Sequence, residues 1–441
     1  MRIPDRVLVV GLGETGLAVA RFLHSMGRQI GLADEKAEKD LMPVLTQLNG
    51  IPFTGHFGPH SIRDFLMYPM IILSPGVDSE LPVLKEAKSH GIAIIGEIEL
   101  ASAFIQEPII AITGTNGKTT TTTLIGEIFT RAFRDVFIGG NIGNPLINYV
   151  IGEKRARYIV IEISSFQLET IKQFKPNLAV LLNISEDHLD RYRSYEDYTH
   201  AKYRIFENQT PDDYAVINNN LLLSHTIHAR LFRFSTDTGL QEGAFLKNGL
   251  MHVRLRDKEY TYARSRSPLV GIHNTENILA ALLVCHLYNV EHTIVEDVLH
   301  TFTGLPHRVE PVRTLRGVTF YNDSKATNVD ATRRALESIT GHVILIAGGR
   351  DKGGSYKILV DSMKKVKALI LIGEAKERIQ NELGEYTDTY IEHDLTDAVM
   401  RAWHLSKAGD VILFSPMCSS FDMFRDYKHR GETFKTIVES L

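Results

Sequence analysis

The run Pro108-Ile109-Ile110-Ala111-Ile112-Thr113-Gly114-Thr115-Asn116-Gly117-Lys118-Thr119-Thr120 constrains the fold of this chain more than any other stretch. An apolar strand empties into a glycine and threonine turn, and the lysine of that turn opens a helical segment. Strand, glycine turn and helix in that order form the unit of an α/β sheet, with the turn at the carboxyl end of the strand. Backbone N–H groups of such a turn and of the helix N-terminus hold phosphate oxygens. Lys118 can neutralise developing charge and the Thr119 hydroxyl can ligate magnesium. The expected ligand is therefore ATP or GTP. The position six before Lys118 is Ile112, where the common phosphate loop has glycine, so the loop is short. The plain alternative is a strand-to-helix turn with a surface lysine.

At 441 residues the chain exceeds the size at which one core keeps growing, which sets an expectation of about two to four domains. Apolar residues make up 44% and charged residues 23%, the balance of an ordinary folded protein. With 49 basic and 53 acidic side chains the formal net charge is -4, which provides no broad field for nucleic acid or a membrane surface. Cys285 and Cys418 form neither a disulfide framework nor a Cys-rich metal site. The N-terminus passes straight into a strand, without a signal sequence of ordinary construction, and no apolar run reaches about 18 residues. A cytoplasmic protein is expected.

A second glycine turn lies near the N-terminus. The strand Val7–Val10 leads into Gly11-Leu12-Gly13-Glu14-Thr15-Gly16, then a helical pattern through Leu17, Ala20, Phe22 and Leu23, then a strand ending at Asp34. Taken by itself, this nucleotide-binding fingerprint reads as a dinucleotide dehydrogenase. Further strands are expected at 70–73, 92–95, 158–163, 178–183, 215–217, 318–321, 343–347, 368–372 and 411–414, with an Asn-containing turn before an Ala/Leu-rich helix around 269–288. The punctuation divides the chain into units at 1–96, 97–303 and 304–441. Trp403 reads as helix packing.

Three more segments carry chemistry. Glu162 sits between Ile161 and Ile163, and a buried carboxylate needs a counter-charge, a metal or hydrogen bonds. His188 ends Glu186-Asp187-His188 and reads equally as a metal ligand or a loop residue. Lys202 reads by itself as a surface lysine.

Through Ile112–Lys118, Gly139-Gly140-Asn141-Ile142-Gly143, Ser164-Ser165-Phe166-Gln167-Leu168-Glu169, Asn183–His188, Gly304-Leu305-Pro306-His307-Arg308 and Asn322-Asp323-Ser324-Lys325-Ala326-Thr327-Asn328, the chain resembles the bacterial Mur ligases. The resemblance covers essentially its whole length, and the last stretch is most like the branch that adds D-glutamate. It implies an α/β fold of three domains: an N-terminal Rossmann-like domain for a UDP-sugar, a central P-loop ATPase-like domain, and a C-terminal Rossmann-like domain that binds D-glutamate and contributes to the ATP site. The implied activity is ATP-dependent ligation of D-glutamate to UDP-N-acetylmuramoyl-L-alanine through an acyl phosphate, in peptidoglycan precursor synthesis.

The roles that follow are likewise implied by the resemblance. Gly114, Thr115, Asn116, Gly117, Lys118, Thr119 and Thr120 hold ATP together with Asn277, Arg308 and Asp323; Asn274 shares the motif of Asn277, and Lys325 is the lysine of the Asp323 signature. Lys118, Glu162, His188 and Lys202 are the catalytic set. Two magnesium sites draw on Thr119, Glu162, His188 and Lys202, the last as a carbamate made with carbon dioxide. Thr15, Asp34, Glu35, Lys36, Ser74, Gly76, Asn141 and His188 line the path of the UDP-carried substrate. Thr327, Lys352, Ser420 and Tyr427 take D-glutamate, with Tyr427 where the family has phenylalanine. Glu14 replaces an apolar residue of the family. No nucleic acid or membrane partner is expected, and a monomer is the default, since no coiled coil or unpaired small domain requires a second copy. The competing readings are the dehydrogenase, a different Mur ligase or a folyl-polyglutamate-type ligase, and a nucleotide-operated switch without catalysis.

Overall fold

Short apolar runs, each closed by glycine, serine or a polar turn, become the central strands of three sheets. The computed structural model describes residues 1–441 except 142, 190, 224 and 257, so Ile142 of the stretch 139–143 lies outside the described residues. The described residues form sheets of five, nine and six strands.

The first sheet holds β1 (Arg6–Val10), β2 (Gln29–Asp34), β3 (Phe53–Phe57), β4 (Met70–Leu73) and β5 (Ala93–Gly96) in the order β3-β2-β1-β4-β5, all parallel. The chain reverses its direction of winding between β1 and β4, so the crevice at their carboxyl ends is where a parallel sheet of this kind takes a ligand. The second sheet comprises β6 (Ile109–Thr113), β7 (Val136–Gly140), β8 (Tyr158–Glu162), β9 (Leu178–Leu181), β10 (Tyr214–Asn218), β11 (Arg230–Ser235), β12 (Gly243–Lys247), β13 (Leu250–Leu255) and β14 (Lys258–Ala263). β6 lies between β8 and β9, and β12 to β14 extend the far edge as an antiparallel meander. The third sheet runs β15-β16-β20-β17-β18-β19, built from β15 (Glu310–Leu315), β16 (Val318–Asn322), β17 (Val343–Gly348), β18 (Val366–Ile372), β19 (Asp388–Ile391) and β20 (Val411–Phe414). β15 pairs antiparallel with β16, and the other strands are parallel.

The helix Lys118–Phe133 and the almost wholly buried helix Ile272–Leu287 share one apolar cluster with the face of β6, β8 and β9 that carries Ile110, Ile112 and Val160. The opposite face of the same sheet shares its core with the first unit, through Leu17, Ile98, Leu146 and Ile161 among others. Burial of such side chains contributes roughly 1.5–3 kcal/mol each, so the first two units are joined by an apolar seam. Trp403 lies in the helix Leu395–Leu405 with its ring 5.9 Å from that of Phe320, as packing. No helix among the described residues is long and apolar enough to cross a membrane.

Two carboxylates anchor the helix Glu97–Ser102, which opens the second unit directly after β5. Glu99 accepts from the backbone N–H groups of Lys172, Gln173 and Phe174 at 2.8–3.0 Å. Glu97 Oε1 accepts from Ile147 N–H at 2.6 Å, while its Oε2 is buried without a partner. Burial raises the Glu97 carboxyl to about 7, against the pull of the Ile147 and Leu146 amides. A carboxyl raised above its unfolded value stabilises the fold fully below about pH 4.5, and that stabilisation drains away as pH rises to about 7. Glu97→Gln keeps the Oε1 acceptor and removes the titration. Denaturant unfolding at pH 5 and pH 8 should show the variant gaining on the parent by up to about 3 kcal/mol at the higher pH. A difference that does not change with pH refutes this assignment.

Candidate active site

The carboxyl ends of β6, β8 and β9 deliver the phosphate loop, Glu162 and the segment 183–188 to one edge of the central sheet. Those of β16, β17 and β20 deliver Asp323, Lys352 and Ser420 to an edge that meets it. The loop between β6 and its helix is zipped to the segment after β9. Thr115 N–H donates to Asn183 O at 3.0 Å and Asn116 N–H to Asn183 Oδ1 at 2.8 Å, so two of the expected cradle amides are engaged internally. The amides left for an anion belong to the first turn of the helix, which has no side-chain cap. Gly117 is the N-cap at φ 87, and a Cβ there would collide with Asn277 Oδ1.

Cations converge on this point. Lys118 Nζ folds back to donate to Gly114 O at 2.9 Å and Thr115 O at 2.8 Å, and Lys202 Nζ donates to the same Gly114 oxygen at 2.9 Å. Lys325 Nζ reaches across from the third unit to the Thr119 hydroxyl at 2.8 Å and lies 5.1 Å from the centre of the Tyr427 ring. Arg308 has a buried Nε without a partner. Burial lowers the affinity of each for its proton: Lys118 and Arg308 fall below their ordinary values, Lys325 falls to about 7 with Arg308 adding to the effect, and Lys202 falls well below with Lys118 adding to it. The Glu162 carboxylate is the shared negative neighbour of all four. Such a cluster is suited to a polyanion.

The Glu162 side chain is 2% exposed; its Oε1 lies 3.4 Å from Asn141 Nδ2, and Oε2 is buried without a partner. A carboxylate oxygen left in that condition fits a cation, as do the Thr119 hydroxyl and a neutral imidazole. His188 stands in the left-handed region at φ 56, and burial brings it down to about 3, with Lys352, Lys118 and Lys202 opposing its protonation, so its ring is neutral. Among the described residues, the group of three potential metal ligands already within 4.8 Å of one another is His393, Asp394 and Asp397, on the surface. There Asp394 caps the helix Leu395–Leu405 by accepting from Asp397 N–H, which accounts for the cluster.

Asp187 is the main omission of the sequence reading. Its buried carboxylate accepts from Lys352 Nζ at 3.1 Å and Asn328 Nδ2 at 3.0 Å, and against the cost of burial these partners and His188 hold it at about 2. The residue lay inside a quoted stretch, but its partners are 141 and 165 positions away. Asp330 was also missed: it accepts from Asn116 Nδ2 at 2.9 Å and Ser185 Oγ at 3.2 Å, tying the phosphate loop to the third unit. Asp323 accepts from Ser415 Oγ at 2.7 Å and Val309 N–H at 3.1 Å, and burial lifts it to about 7 against those bonds and Arg308.

The Asn-containing turn is corrected by the structure. Asn274 and Asn277 lie within the helix Ile272–Leu287, whose N-cap is Gly271, so neither caps it. Asn274 Nδ2 instead donates to Val270 O, and Asn277 Nδ2 lies 3.3 Å from Asn274 Oδ1. Asn277, Gly117, Arg308, Asp323 and Ala335 line one cavity between the second and third units. Thr120 is buried, with its hydroxyl unpartnered. Thr327 is half-buried, Ser420 is buried, and Tyr427 opens the final helix with its hydroxyl 3.5 Å from Lys325 Nζ.

In the first unit Asp34 accepts from Leu12 N–H at 2.9 Å and Lys36 N–H at 3.0 Å, closing the glycine turn. Ser74, at the end of β4, donates to Gly11 O at 2.6 Å. Thr15 is half-buried, Glu35, Lys36 and Gly76, which follow β2 and β4, are exposed, and so is Asn141, which follows β7 in the second unit.

Three family models match the chain: the N-terminal domain of MurD-like Mur ligases over residues 5–96, the Mur ligase middle domain over 112–285, and the Mur ligase glutamate ligase domain over 307–418. A UDP-N-acetylmuramoylalanine–D-glutamate ligase of Geotalea daltonii is 50% identical over 99% of this chain and 97% of its own. Among solved structures, a pseudomurein peptide ligase type C from Methanothermus fervidus superposes with a TM-score of 0.63 at 17% identity, covering 99% of this chain and 100% of its own. A UDP-N-acetylmuramate-alanine ligase from Thermotoga maritima does so with a TM-score of 0.61 at 20% identity, covering 99% of both chains. These two likenesses concern the fold.

Gly117→Ala combines a positive φ with a collision against Asn277. Calorimetric titration with ADP should show at least about a tenfold loss of affinity, roughly 1.4 kcal/mol. An affinity equal to that of the parent removes the tight turn from the account.

Proposed function

The chain belongs to the Mur ligase family, and on that premise we propose that it joins D-glutamate to UDP-N-acetylmuramoyl-L-alanine, using ATP, in the synthesis of peptidoglycan precursors. The observation that carries this reading is half identity, end to end, with a ligase of that name. The dehydrogenase reading of the first glycine turn accounts for neither the second loop nor the cations around it.

The reaction joins anions. The L-alanine carboxylate attacks the γ-phosphorus of ATP, giving an acyl phosphate and ADP. The free amine of D-glutamate then attacks the acyl carbon, phosphate leaves, and the nitrogen sheds a proton as the amide forms. Lys118 and the first-turn amides of its helix hold the β and γ phosphates, while Lys325 and Arg308 approach from the third unit and oppose the charge that builds on the leaving oxygen. Asn277 and Asp323 take the nucleoside end. Thr119, Glu162 and His188 would hold magnesium, which when bound would polarise the phosphoryl oxygens. Burial shifts Lys202 towards the neutral amine, the form that adds carbon dioxide with release of a proton, and the resulting carbamate would offer oxygens to a second magnesium. Thr15, Asp34, Glu35, Lys36, Ser74, Gly76 and Asn141 take the UDP-sugar. In the third unit, a D-glutamate carboxylate takes Lys352 from Asp187, with Thr327, Ser420 and Tyr427 around it. Meeting of the second and third units keeps water from the acyl phosphate.

The test is product formation with magnesium, ATP and UDP-N-acetylmuramoyl-L-alanine, comparing D-glutamate, L-glutamate and D-aspartate by mass. The expected result is one amide and one ADP per turnover, dependent on D-glutamate; ADP binding without any amide would favour a nucleotide-operated switch. Within the same assay Lys118→Ala should lower turnover by about 10²–10³-fold. Lys352→Ala should chiefly raise the KM for D-glutamate and spare acyl-phosphate formation, and equal losses in both partial reactions would contradict that division.

A further inference from the structure

The first and second units are also joined by a polar clasp that the chemistry above leaves unused. Arg191 Nη2 donates to Val77 O at 3.1 Å and to Glu169 Oε2 at 3.3 Å. The same Oε2 accepts from Ser79 Oγ at 3.0 Å, and the Tyr192 hydroxyl donates to Oε1. Val77 and Ser79 follow β4 in the first unit, whereas Glu169, Arg191 and Tyr192 belong to the second. The side chains of Arg191 and Glu169 are 16% and 18% exposed, so this charge-assisted pair is far better shielded than a surface ion pair.

Each end of the clasp leads to a site. Towards the first unit, Val77 N–H donates to Ser74 O, and a Cβ on Gly11 would lie 2.6 Å from Val77 Cγ2, so this loop rests directly on the glycine turn. Towards the second, the Arg191 guanidinium lies 3.8 Å from the centre of the Phe166 ring. Phe166 meets His188 edge-on at 4.8 Å and stacks on Tyr192 at 5.9 Å. Tyr192 touches Tyr198, whose hydroxyl is 3.0 Å from Thr115 Oγ1 and whose ring centre is 4.5 Å from Lys202 Nζ. Among the described residues the ring of His188 approaches no hydrogen-bond partner closer than Asp187 Oδ2 at 3.6 Å, so packing against Phe166, with Tyr198 at 6.4 Å, orients it.

We propose that Arg191 is a positioning residue, which locks the loop after β4 to Phe166 and so sets His188 and the phosphate loop in register with a substrate that spans both units. The proposal rests on the reading of the first unit as the site of the UDP-sugar. A carrier held at one end and reacting at the other tolerates little error, since about 1 Å of misplacement costs on the order of 10²-fold in rate.

Steady-state kinetics of the full chain, with ADP titration, test it. Arg191→Ala should raise the KM for UDP-N-acetylmuramoyl-L-alanine at least about tenfold and lower kcat by a similar factor, with ADP affinity within about twofold of the parent. Arg191→Lys should recover part of the KM through its ammonium but none of the kcat, because it lacks the planar face that packs on Phe166. Ser79→Ala removes one hydrogen bond of the clasp while leaving Arg191 on Phe166, and should raise that KM a few-fold at unchanged kcat, which keeps the test open if the arginine variants fold poorly. An unchanged KM in both alanine variants, or an equal loss of ADP affinity, overturns the proposal. Spin labels on cysteines introduced at the exposed Met42 and Leu250 separate its failure from that of the ligase reading. The distance distribution between them should broaden with Arg191→Ala whether or not turnover is seen, and an identical distribution overturns the clasp.

Discussion

The structure depends on an excess of buried positive charge where two sheet edges meet. Lys118 and Lys202 come from the central unit, and Arg308 and Lys325 from the third, with Glu162 as their common counter-charge. Asp187 also faces Lys118 and Lys202, and Asp323 faces Arg308, yet taking these basic groups out of water remains unfavourable in the folded chain, and burial lowers the proton affinity of each. A polyphosphate relieves it. The charges that make the free site uncomfortable are therefore the ones that make it selective for a nucleotide.

The same edge is built from two halves. Asp330 and Asn328 of the third unit hold Asn116 and Asp187 of the central one, and Lys352 is kept close to the reaction centre by Asp187. The phosphate loop is thus complete only where the two units are in contact. The first and second units are related differently, by a shared apolar core and the clasp around Arg191. The second and third units thus meet through polar contacts, whereas the first and second share an apolar seam.

Much of the fold was legible because parallel strands buried on both faces read as apolar runs. β1, β4, β6, β8, β17 and β20 are of that kind, each ending in a chemically distinct turn. β3, with the sequence Phe-Thr-Gly-His-Phe, and the arginine-rich β11 carry no such signal, since an edge strand or a half-exposed one is held by its neighbour. The meander from β12 to β14 was missed for the same reason. In the site, Lys118 announced itself through its glycines and Glu162 through its apolar flanks. Asp187, Asp330 and Arg191 did not, because what gives them meaning is a partner more than a hundred residues away. The two asparagines of the helix Ile272–Leu287 were misplaced by local propensity: asparagine favours turns, but here burial of the helix and the approach of Gly117 decide.

The central claim is that phosphate charge, more than the base, satisfies this junction. Thermal unfolding of the full chain in increasing ADP, with adenosine as control, tests it most directly. Occupancy at about a hundred times Kd stabilises by roughly 2.7 kcal/mol, so the midpoint should climb steadily with the logarithm of ADP concentration and hardly move with adenosine. Equal shifts with the two ligands, or no shift with ADP, would contradict the account.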